Sequence, residues 1–483
     1  MTMPGNAGEQ RLPSGLEQID YTQLFALTEQ ESVTVDGQIA KMRLVEEMIL
    51  ARLNDMRRRL FARLQSSVAG EEARETAVAS QMQALRIHHL DLGDGRYNLI
   101  VERGEGDDET PDTTIYRVMV VAHVDTVEGL PHHNQLEQDL ANPDRWKGRG
   151  VYDMGAGVIN SIALASAVQV PEGMKVYFVF TVDEEEDSLG ALQLVRQWDV
   201  WPHIDAVISS DIGPLKPLPD DDPRMRLIIA RCGREKCLGT ITIAPGQQGH
   251  GAQTGLPNAS DALVELLGSM REQFYRGRKG SAGERDESPV QQSHSLLGVE
   301  EFETGAVTST QRDGYVLPHE AKFRFAVKTV PPTARGEMLK KMKRTASGIA
   351  HRGEWHGKHG IDHTLVADDS ETSYPPYEMP DKHPMVRVAA GILRRISGVD
   401  PEIVGGPSVA DECVYADSML EGMELPSFDK TPRGIITIPP NGDHAHSPDE
   451  WVSKMNIARV RQAVRLLIEN PDGLISLAQK RMA

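Results

Sequence analysis

Apolar residues along the first part of the chain follow two patterns, helical spacing and short continuous runs. From Tyr21 to about Leu64 they recur every three or four positions with charges between them, which predicts a helix. Continuous apolar runs predict buried strands at Tyr97–Glu102, Tyr116–Val124, Val176–Val182 and Ile204–Ser209. Two helical segments separate the later strands, Gly157–Val168 and Leu189–Gln197. This alternation predicts a mainly parallel α/β sheet flanked by helices.

The order of the elements changes after residues 214–223, where proline and aspartate predict a linker. The next elements are predicted as strand, helix, two strands, basic helix and strand, at Gly239–Ala244, Ala259–Gln273, Ala306–Thr310, Ala321–Val327, Ala334–His351 and Thr364–Ala367. This order predicts a small α+β unit with an antiparallel sheet. A proline-rich stretch, Tyr374–Pro384, then leads to a helix at Met385–Ser397 and renewed alternation. We therefore predict one α/β domain in two parts, 1–213 and 380–483, interrupted by an inserted domain at 226–372, with residues 1–20 flexible.

The composition excludes several classes of protein. The chain has 483 residues, of which 39% are hydrophobic and 25% charged, as in globular proteins of several domains. It has no run of about 18 apolar residues, so no membrane-spanning helix is expected, and the polar N-terminus argues against secretion. The net charge of −19 disfavours nucleic acid as a partner. The chain has three cysteines, Cys232, Cys237 and Cys413. Three cysteines cannot build a disulfide framework, which favours a cytoplasmic location.

Charged residues stand where the predicted buried strands end, which is where open α/β sheets place their sites. His123 and Asp125 end one strand, five acids at Asp183–Asp187 follow another, and Asp211 follows a third. Asp153 lies in a glycine-rich loop before a helix. Structural interpretations exist for each: a polar pair, a solvated acidic surface, a turn residue and a helix N-cap. Five adjacent carboxylates nevertheless repel one another unless cations neutralise them.

Two histidines near the C-terminus, His444 and His446, lie beside a turn. They are either surface residues or further ligands. Taken together, a histidine, aspartate, glutamate, aspartate and histidine on separate loops suit a pair of borderline divalent ions such as zinc, with one shared carboxylate.

Five motifs occur in this order: Ala122–Val127, Gly148–Met154, Thr181–Glu185, Ser210–Asp211 and His446–Glu450. In sequence and spacing they resemble the co-catalytic zinc peptidases. That family includes aminoacylase, carnosinase, tripeptide aminopeptidase, succinyl-diaminopimelate desuccinylase, acetylornithine deacetylase and carboxypeptidase G. The resemblance extends from about Leu24 to the C-terminal helix.

The resemblance implies two divalent metal ions, zinc first, with cobalt or manganese as alternatives. It implies five ligands: His123 and Asp211 on one ion, Glu185 and His446 on the other, and Asp153 bridging both. It further implies that Asp125 orients His123 and that Glu184 is the general base, which takes a proton from the attacking water and returns it to the leaving amine. A cis peptide bond after Asp153 is implied as well.

The inserted domain would be the lid of this family. Gly249-His250 resembles the family's glycine–histidine pair, which implies that His250 donates a hydrogen bond to the oxyanion. In dimeric relatives the equivalent residue enters the partner's site, so a homodimer joined through the lid is implied.

The chain departs from the family pattern at four places. Gly155-Ala156 replaces Lys-Gly after the bridging aspartate, and Asp187 replaces a glycine after the paired glutamates. In the lid, Tyr315–Pro318 has no asparagine before the apolar–proline pair, and Lys328 stands where an arginine is usual. Relatives use groups at these last two positions to hold substrate, and a lysine does not reproduce the two-pronged carboxylate clamp of arginine.

Three functions compete. The first is two-metal hydrolysis of an amide bond in a small peptide or an N-acyl amino acid. Within it, Asp211 favours a dipeptidase or aminopeptidase, because in this family a glutamate there accompanies the deacylases and carboxypeptidases. The second is a catalytically silent binding protein, disfavoured because every ligand position and the base are present. The third is a hydrolase of another bond such as a phosphoester, which no glycine-rich phosphate loop supports.

Overall fold

The structure is a computed structural model that describes residues 26–27, 33–64, 85–104, 115–129, 135–214, 216–244, 258–276, 297–305, 319–331, 336–351, 361–367, 373–421, 428, 431 and 433–470. Its helices are α1 (Val35–Leu64), α2 (Ala156–Ala167), α3 (Leu189–Gln197), α4 (Ala259–Arg276), α5 (Glu337–His351), α6 (Pro384–Ser397), α7 (Asp411–Leu420) and α8 (Lys454–Glu469). A kinked turn, Val151–Gly155, precedes α2, and Asp153 and Met154 within it have non-helical dihedral angles. A short 3₁₀ turn spans Trp201–His203.

The strands, in chain order, are β1 (Leu85–Asp91), β2 (Tyr97–Arg103), β3 (Tyr116–His123), β4 (Glu137–Gln138), β5 (Arg145–Lys147), β6 (Met174–Thr181), β7 (Ala206–Ser209), β8 (Arg226–Arg231), β9 (Gly233–Ile243), β10 (Leu297–Gly305), β11 (Glu320–Thr329), β12 (Ile361–Ala367), β13 (Tyr377–Glu378), β14 (Glu402–Gly406), β15 (Gly434–Thr437), β16 (Gly442–Asp443) and β17 (Trp451–Ser453). They form three sheets.

The large sheet has the order β1-β2-β6-β3-β7-β15-β8-β13, with β14 paired to β8. Its centre is parallel: β3 pairs with β6 and β7, and β7 pairs with β15. Every residue of these four strands is buried, which the continuous apolar runs predict for β3, β6 and β7. Helices α1, α2, α8 and α6 form one packed group, and α3 packs on α7. The predicted class, a mainly parallel α/β sheet flanked by helices, is confirmed.

The inserted unit is a four-stranded antiparallel sheet with the order β10-β11-β9-β12. Helices α4 and α5 pack on this sheet. The helices and the sheet enclose a separate apolar core, which includes Leu263, Phe323 and Met342. The strand predicted at Ala306–Thr310 lies outside the described residues. In the described part of the chain, β11 pairs with β10 on one side and with β9 on the other. Strand β8, which begins at Arg226, belongs to the large sheet. The limits of the domains stay a prediction, and residues 1–20 lie outside the described part.

The third sheet, β16-β17-β5-β4, consists of strands of two or three residues. It joins two distant parts of the chain, because β5 pairs with β17 across Trp146 and Val452. The loops that hold Asp153 and His446 leave from this sheet. None of the helices in the described ranges has both the length and the apolar character needed to cross a bilayer.

Candidate metal centre

The centre is built at one edge of the large sheet. Strands β3 and β6 run parallel, with His123 opposite Thr181, and β7 lies on the other side of β3. The carboxyl ends of the three strands therefore meet at the same edge. His123 is the last residue of β3, Glu184 and Glu185 follow β6, and Asp211 follows β7. The fold thus brings together residues that lie far apart in sequence.

Asp153 lies at the middle of this group and is 4% exposed. One carboxylate oxygen, Oδ1, is 3.0 Å from Nε2 of His123. The other, Oδ2, is 3.0 Å from Nε2 of His446. Each oxygen of one carboxylate thus faces a different histidine, which is the arrangement needed by a residue that bridges two cations.

Two sets of three donors share Asp153, and within each set the donor atoms lie within 4.8 Å of one another. The first set is His123, Asp153 and Asp211, and the second is Asp153, Glu185 and His446. In the second set, Nε2 of His446 is 2.9 Å from Oε2 of Glu185. The sets match the ligands that the resemblance implies for each ion.

The donor chemistry fits divalent cations. Imidazole nitrogens and carboxylate oxygens are the ligands of zinc and related ions. Among the described residues, the buried Oε1 atom of Glu185 has no hydrogen-bond partner. A buried acceptor without a donor is costly, and a cation would compensate for it. His446 is half-exposed, so the centre opens to solvent on its side.

Glu184 lies near the first donor set, because its Oε2 is 3.9 Å from Nε2 of His123. Its donor atom also falls within 4.8 Å of those of His123 and Glu185. The geometry alone therefore allows Glu184 to act as a ligand or to face the reacting water. Its role as general base stays a prediction.

Asp125 contacts both His123 and the loop that carries the glutamates. The backbone carbonyl of Asp125 is 3.1 Å from Nδ1 of His123, and its carboxylate Oδ1 is 3.6 Å from the same nitrogen. Its Oδ2 accepts a hydrogen bond of 3.0 Å from the backbone N–H of Glu185. Asp125, the residue predicted to orient His123, thus contacts the ring nitrogen Nδ1, and its backbone carbonyl lies closer to that nitrogen than its carboxylate does.

Burial and mutual repulsion perturb the titration of these groups. Burial raises the pKa of Glu185 to about 7, and the carboxylate of Asp153 adds to the increase. Burial also raises the pKa of Glu184 well above its ordinary value, with contributions from the charges of Asp211 and Glu185. Hydrogen bonds to Asp153 and Glu185 raise the pKa of His446 to about 11. The centre concentrates buried negative charge, which bound cations would neutralise.

Glu450 holds the loop of Asp153 and has no role in the sequence-based prediction. Its carboxylate is 1% exposed. It accepts hydrogen bonds from the backbone N–H groups of Gly150 (3.0 Å), Tyr152 (2.8 Å) and Asp153 (2.9 Å). Gly150 has φ of 71°, a value that a glycine adopts without strain, and the Asp153–Met154 bond is cis, as the resemblance implies. The sequence feature that could have indicated a role for Glu450 is its position as an acidic residue directly before the buried strand β17.

The departures from the family pattern have identifiable partners where they are described. The carboxylate of Asp187 accepts a hydrogen bond of 3.0 Å from Nζ of Lys236, and its carbonyl accepts one from the hydroxyl of Tyr374. This ties the acidic loop to the start of β9. Lys328 is half-buried on β11, and burial lowers its pKa. Residues 315–318 and His250 lie outside the described residues, so the predicted role of His250 stays a prediction. His444 lies in neither donor set.

The fold is a mainly parallel α/β sheet, and at one edge of it two candidate donor sets share the carboxylate of Asp153. The model of peptidase family M20/M25/M40 matches residues 119–470, more than half of the chain. The chain therefore belongs to this family. The prediction of a hydrolase of the metallopeptidase class is confirmed, and the family includes dinuclear metal-binding members.

Solved structures show the same fold over nearly the whole chain at low sequence identity. A tripeptidase from Staphylococcus aureus is 14% identical with a TM-score of 0.60, and the match covers 95% of this chain and 98% of that one. Human carnosine dipeptidase 1 is 14% identical with a TM-score of 0.56, covering 95% and 96%. A dinuclear metal-binding M20 peptidase from Bacillus subtilis is 13% identical with a TM-score of 0.55, covering 93% and 96%. No curated protein sequence matches the chain significantly.

Proposed function

We propose that this protein is a two-metal hydrolase that cleaves an amide bond in small peptides, as a dipeptidase or aminopeptidase. The observation that carries the proposal is the position of Asp153, whose two carboxylate oxygens lie 3.0 Å from His123 and 3.0 Å from His446. His123 and Asp211 would hold one ion, Glu185 and His446 the other, with Asp153 shared. Zinc is the expected metal, and cobalt or manganese are alternatives.

Each of the other residues of the proposed site has a separate role in catalysis or in positioning a ligand. When bound, two divalent cations would lower the pKa of a water molecule and polarise the scissile carbonyl. Glu184, at the edge of both donor sets, would take a proton from the attacking water and return it to the leaving amine. Asp125 would hold His123, and Glu450 would hold the loop of Asp153. His250 would donate a hydrogen bond to the oxyanion, from the partner's lid in a homodimer.

The choice of a peptide with a free amino group over an N-acyl amino acid is supported by Asp211, the shorter acid at that position. Similarity of fold to a tripeptidase and a carnosine dipeptidase agrees with this choice. The cytoplasmic location and the homodimer are proposals from the sequence.

A substrate panel tests the proposal. Free dipeptides, tripeptides, N-acetyl amino acids and N-acylated dipeptides are offered to the protein, with chelator and after return of zinc, cobalt or manganese. We expect fastest cleavage of free peptides, loss of activity with chelator and its recovery with metal. Faster cleavage of N-acetyl amino acids or of N-acylated dipeptides would instead support a deacylase or carboxypeptidase. Metal binding without any cleavage would support a silent binding protein.

A further inference from the structure

Strand β8 ends in an arginine, Arg231, whose side chain contacts Asp211 of the candidate centre. Arg231 is fully buried, with 0% exposure. Its Nη2 donates to Oδ2 of Asp211 at 3.0 Å and to Oε1 of Glu412 at 3.2 Å. The other oxygen of Asp211, Oδ1, lies 3.9 Å from Nε2 of His123. The carboxylate of Asp211 is therefore divided, with one oxygen toward the arginine and one toward the first donor set.

Glu412 holds the arginine from the side of α7. It is 1% exposed, and its Oε1 also accepts a hydrogen bond of 2.6 Å from the hydroxyl of Thr437 on β15. Glu412 lines the same cavity as His123, Glu184 and Asp211. A hydrogen-bonded series thus runs from β15 through Glu412 and Arg231 to Asp211.

The guanidinium has little freedom to move. Nη1 donates to the hydroxyl of Ser408. A Cβ atom added to Gly406 would lie 2.9 Å from both Cδ and Nη1 of Arg231, so the glycine allows the backbone and the arginine side chain to lie close together. A planar guanidinium that is fixed on two sides presents its N–H groups in a constant direction.

A carboxylate that binds a metal is oriented by the hydrogen bonds of its other oxygen. We propose that Arg231, held by Glu412, is a positioning residue for Asp211, which keeps Oδ1 directed at the ion shared with His123 and thereby sets the affinity of that ion. This inference rests on the proposed two-metal function. It concerns only the first donor set, because neither Glu185 nor His446 contacts the arginine in the part of the chain described.

The competing interpretation is a purely structural ion pair that joins β8 to α7. Loss of such a pair would lower the stability of the fold, but it would not weaken the binding of one metal ion more than that of the other. The chain provides a matched control at the opposite end of β8, where Nε of Arg226 donates to Oε2 of Glu402 at 2.8 Å. Arg226→Lys makes the same chemical change on the same strand, at an arginine whose partner, Glu402, belongs to neither donor set.

The experiment is a titration of the metal-free protein with zinc and with cobalt, comparing the wild type with Arg231→Lys and Arg226→Lys. Loss of an outer hydrogen bond to a metal ligand commonly lowers metal affinity about 10- to 100-fold. We expect Arg231→Lys to weaken one of two binding steps by about that factor, to leave the other unchanged, and to alter the visible spectrum of the cobalt bound in the weakened step. Arg226→Lys should change neither step.

A second variant keeps the test decisive if Arg231→Lys does not fold. Glu412→Gln keeps the size and one acceptor of the side chain but releases the arginine, so the same binding step should weaken by a smaller factor. Two unchanged steps in the variant that folds, or equal weakening of both, would overturn the inference while the two-metal function stands. Failure of the wild type to bind two ions would instead overturn the proposed function itself.

Discussion

The large sheet and the sheet of the inserted unit differ in how their strands are buried. In the large sheet, β3 and β6 are buried along their full length and carry their chemistry only where they end. In the inserted sheet, buried and partly exposed residues alternate along β9 from Cys237 onward, and β12 has a single buried residue. One sheet is covered on both faces and the other on one.

This difference explains where charge is tolerated. A charge within a strand buried on both faces is costly unless it is paired, as Lys175 is with Glu102. His123, Asp211 and Arg231 instead lie at or beyond strand ends. The one-sided sheet can place charges such as Lys322 on its open face. The strand ends of the large sheet thus supply His123 and Asp211 to the candidate centre, whereas the core of the inserted unit, as far as it is described, holds no member of the two donor sets.

The largest expected effect is at the end of β6. Glu184→Gln should lower kcat by about 10²–10⁴-fold, because the amide can no longer take the proton of the attacking water, while metal content stays near that of the wild type. Steady-state kinetics and metal analysis check this. Glu186→Gln, on the same loop but exposed, is the control and should be nearly silent. Activity above about a tenth of the wild type in Glu184→Gln would refute its role as the base.

The next effect separates the inserted core from the centre. Leu263 is fully buried in that core, and Leu263→Ala should lower the free energy of unfolding by about 2–5 kcal/mol. Metal content should not change, because no proposed ligand lies in this core. Calorimetry with metal analysis measures both, and Val264→Ala, which is 65% exposed in the wild type, is the control. Loss of a bound ion in Leu263→Ala would show that the two regions are not independent.

The smallest effect tests the contact between the two regions. Lys236→Met removes the ion pair with Asp187, in which the lysine side chain is 8% and the aspartate 35% exposed. A partly exposed pair contributes no more than about 1 kcal/mol, so denaturant unfolding should shift only slightly. Lys322→Met, which removes an exposed pair with Glu320, should shift it less. A much larger loss in Lys236→Met would mean that the acidic loop depends on the inserted unit.

The sequence predicted the elements whose pattern is strong and local. Helix α3 has the predicted limits, and strands β3, β6 and β7 differ from the predicted ranges by one or two residues at their ends. Strand β15 was not predicted individually. Strand β1 was not predicted, because its arginine and histidines interrupt the apolar pattern and most of its residues stay partly or fully exposed. The third sheet was not predicted because strands of two or three residues have no period to detect.

The candidate centre was predictable to the extent that motifs carry it. The residues that hold the ligands were not, because their contacts join distant positions: Arg231 and Glu412 are 181 residues apart, and Gly150 and Glu450 are 300 apart. Only the fold shows that these charges meet. In retrospect, Arg231 carried the same signal as His123, a charged residue that ends an apolar strand.

The most direct test of the account is the metal content of protein purified without chelator, measured by elemental analysis together with Asp153→Asn. We predict two divalent ions per chain in the wild type. Asp153→Asn should retain fewer than one, because both donor sets share this carboxylate. Asp449→Asn, an exposed aspartate in the motif of His446, is the control and should retain two. A wild type that binds no zinc, cobalt or manganese, or an Asp153→Asn protein that still holds two ions, would contradict the account.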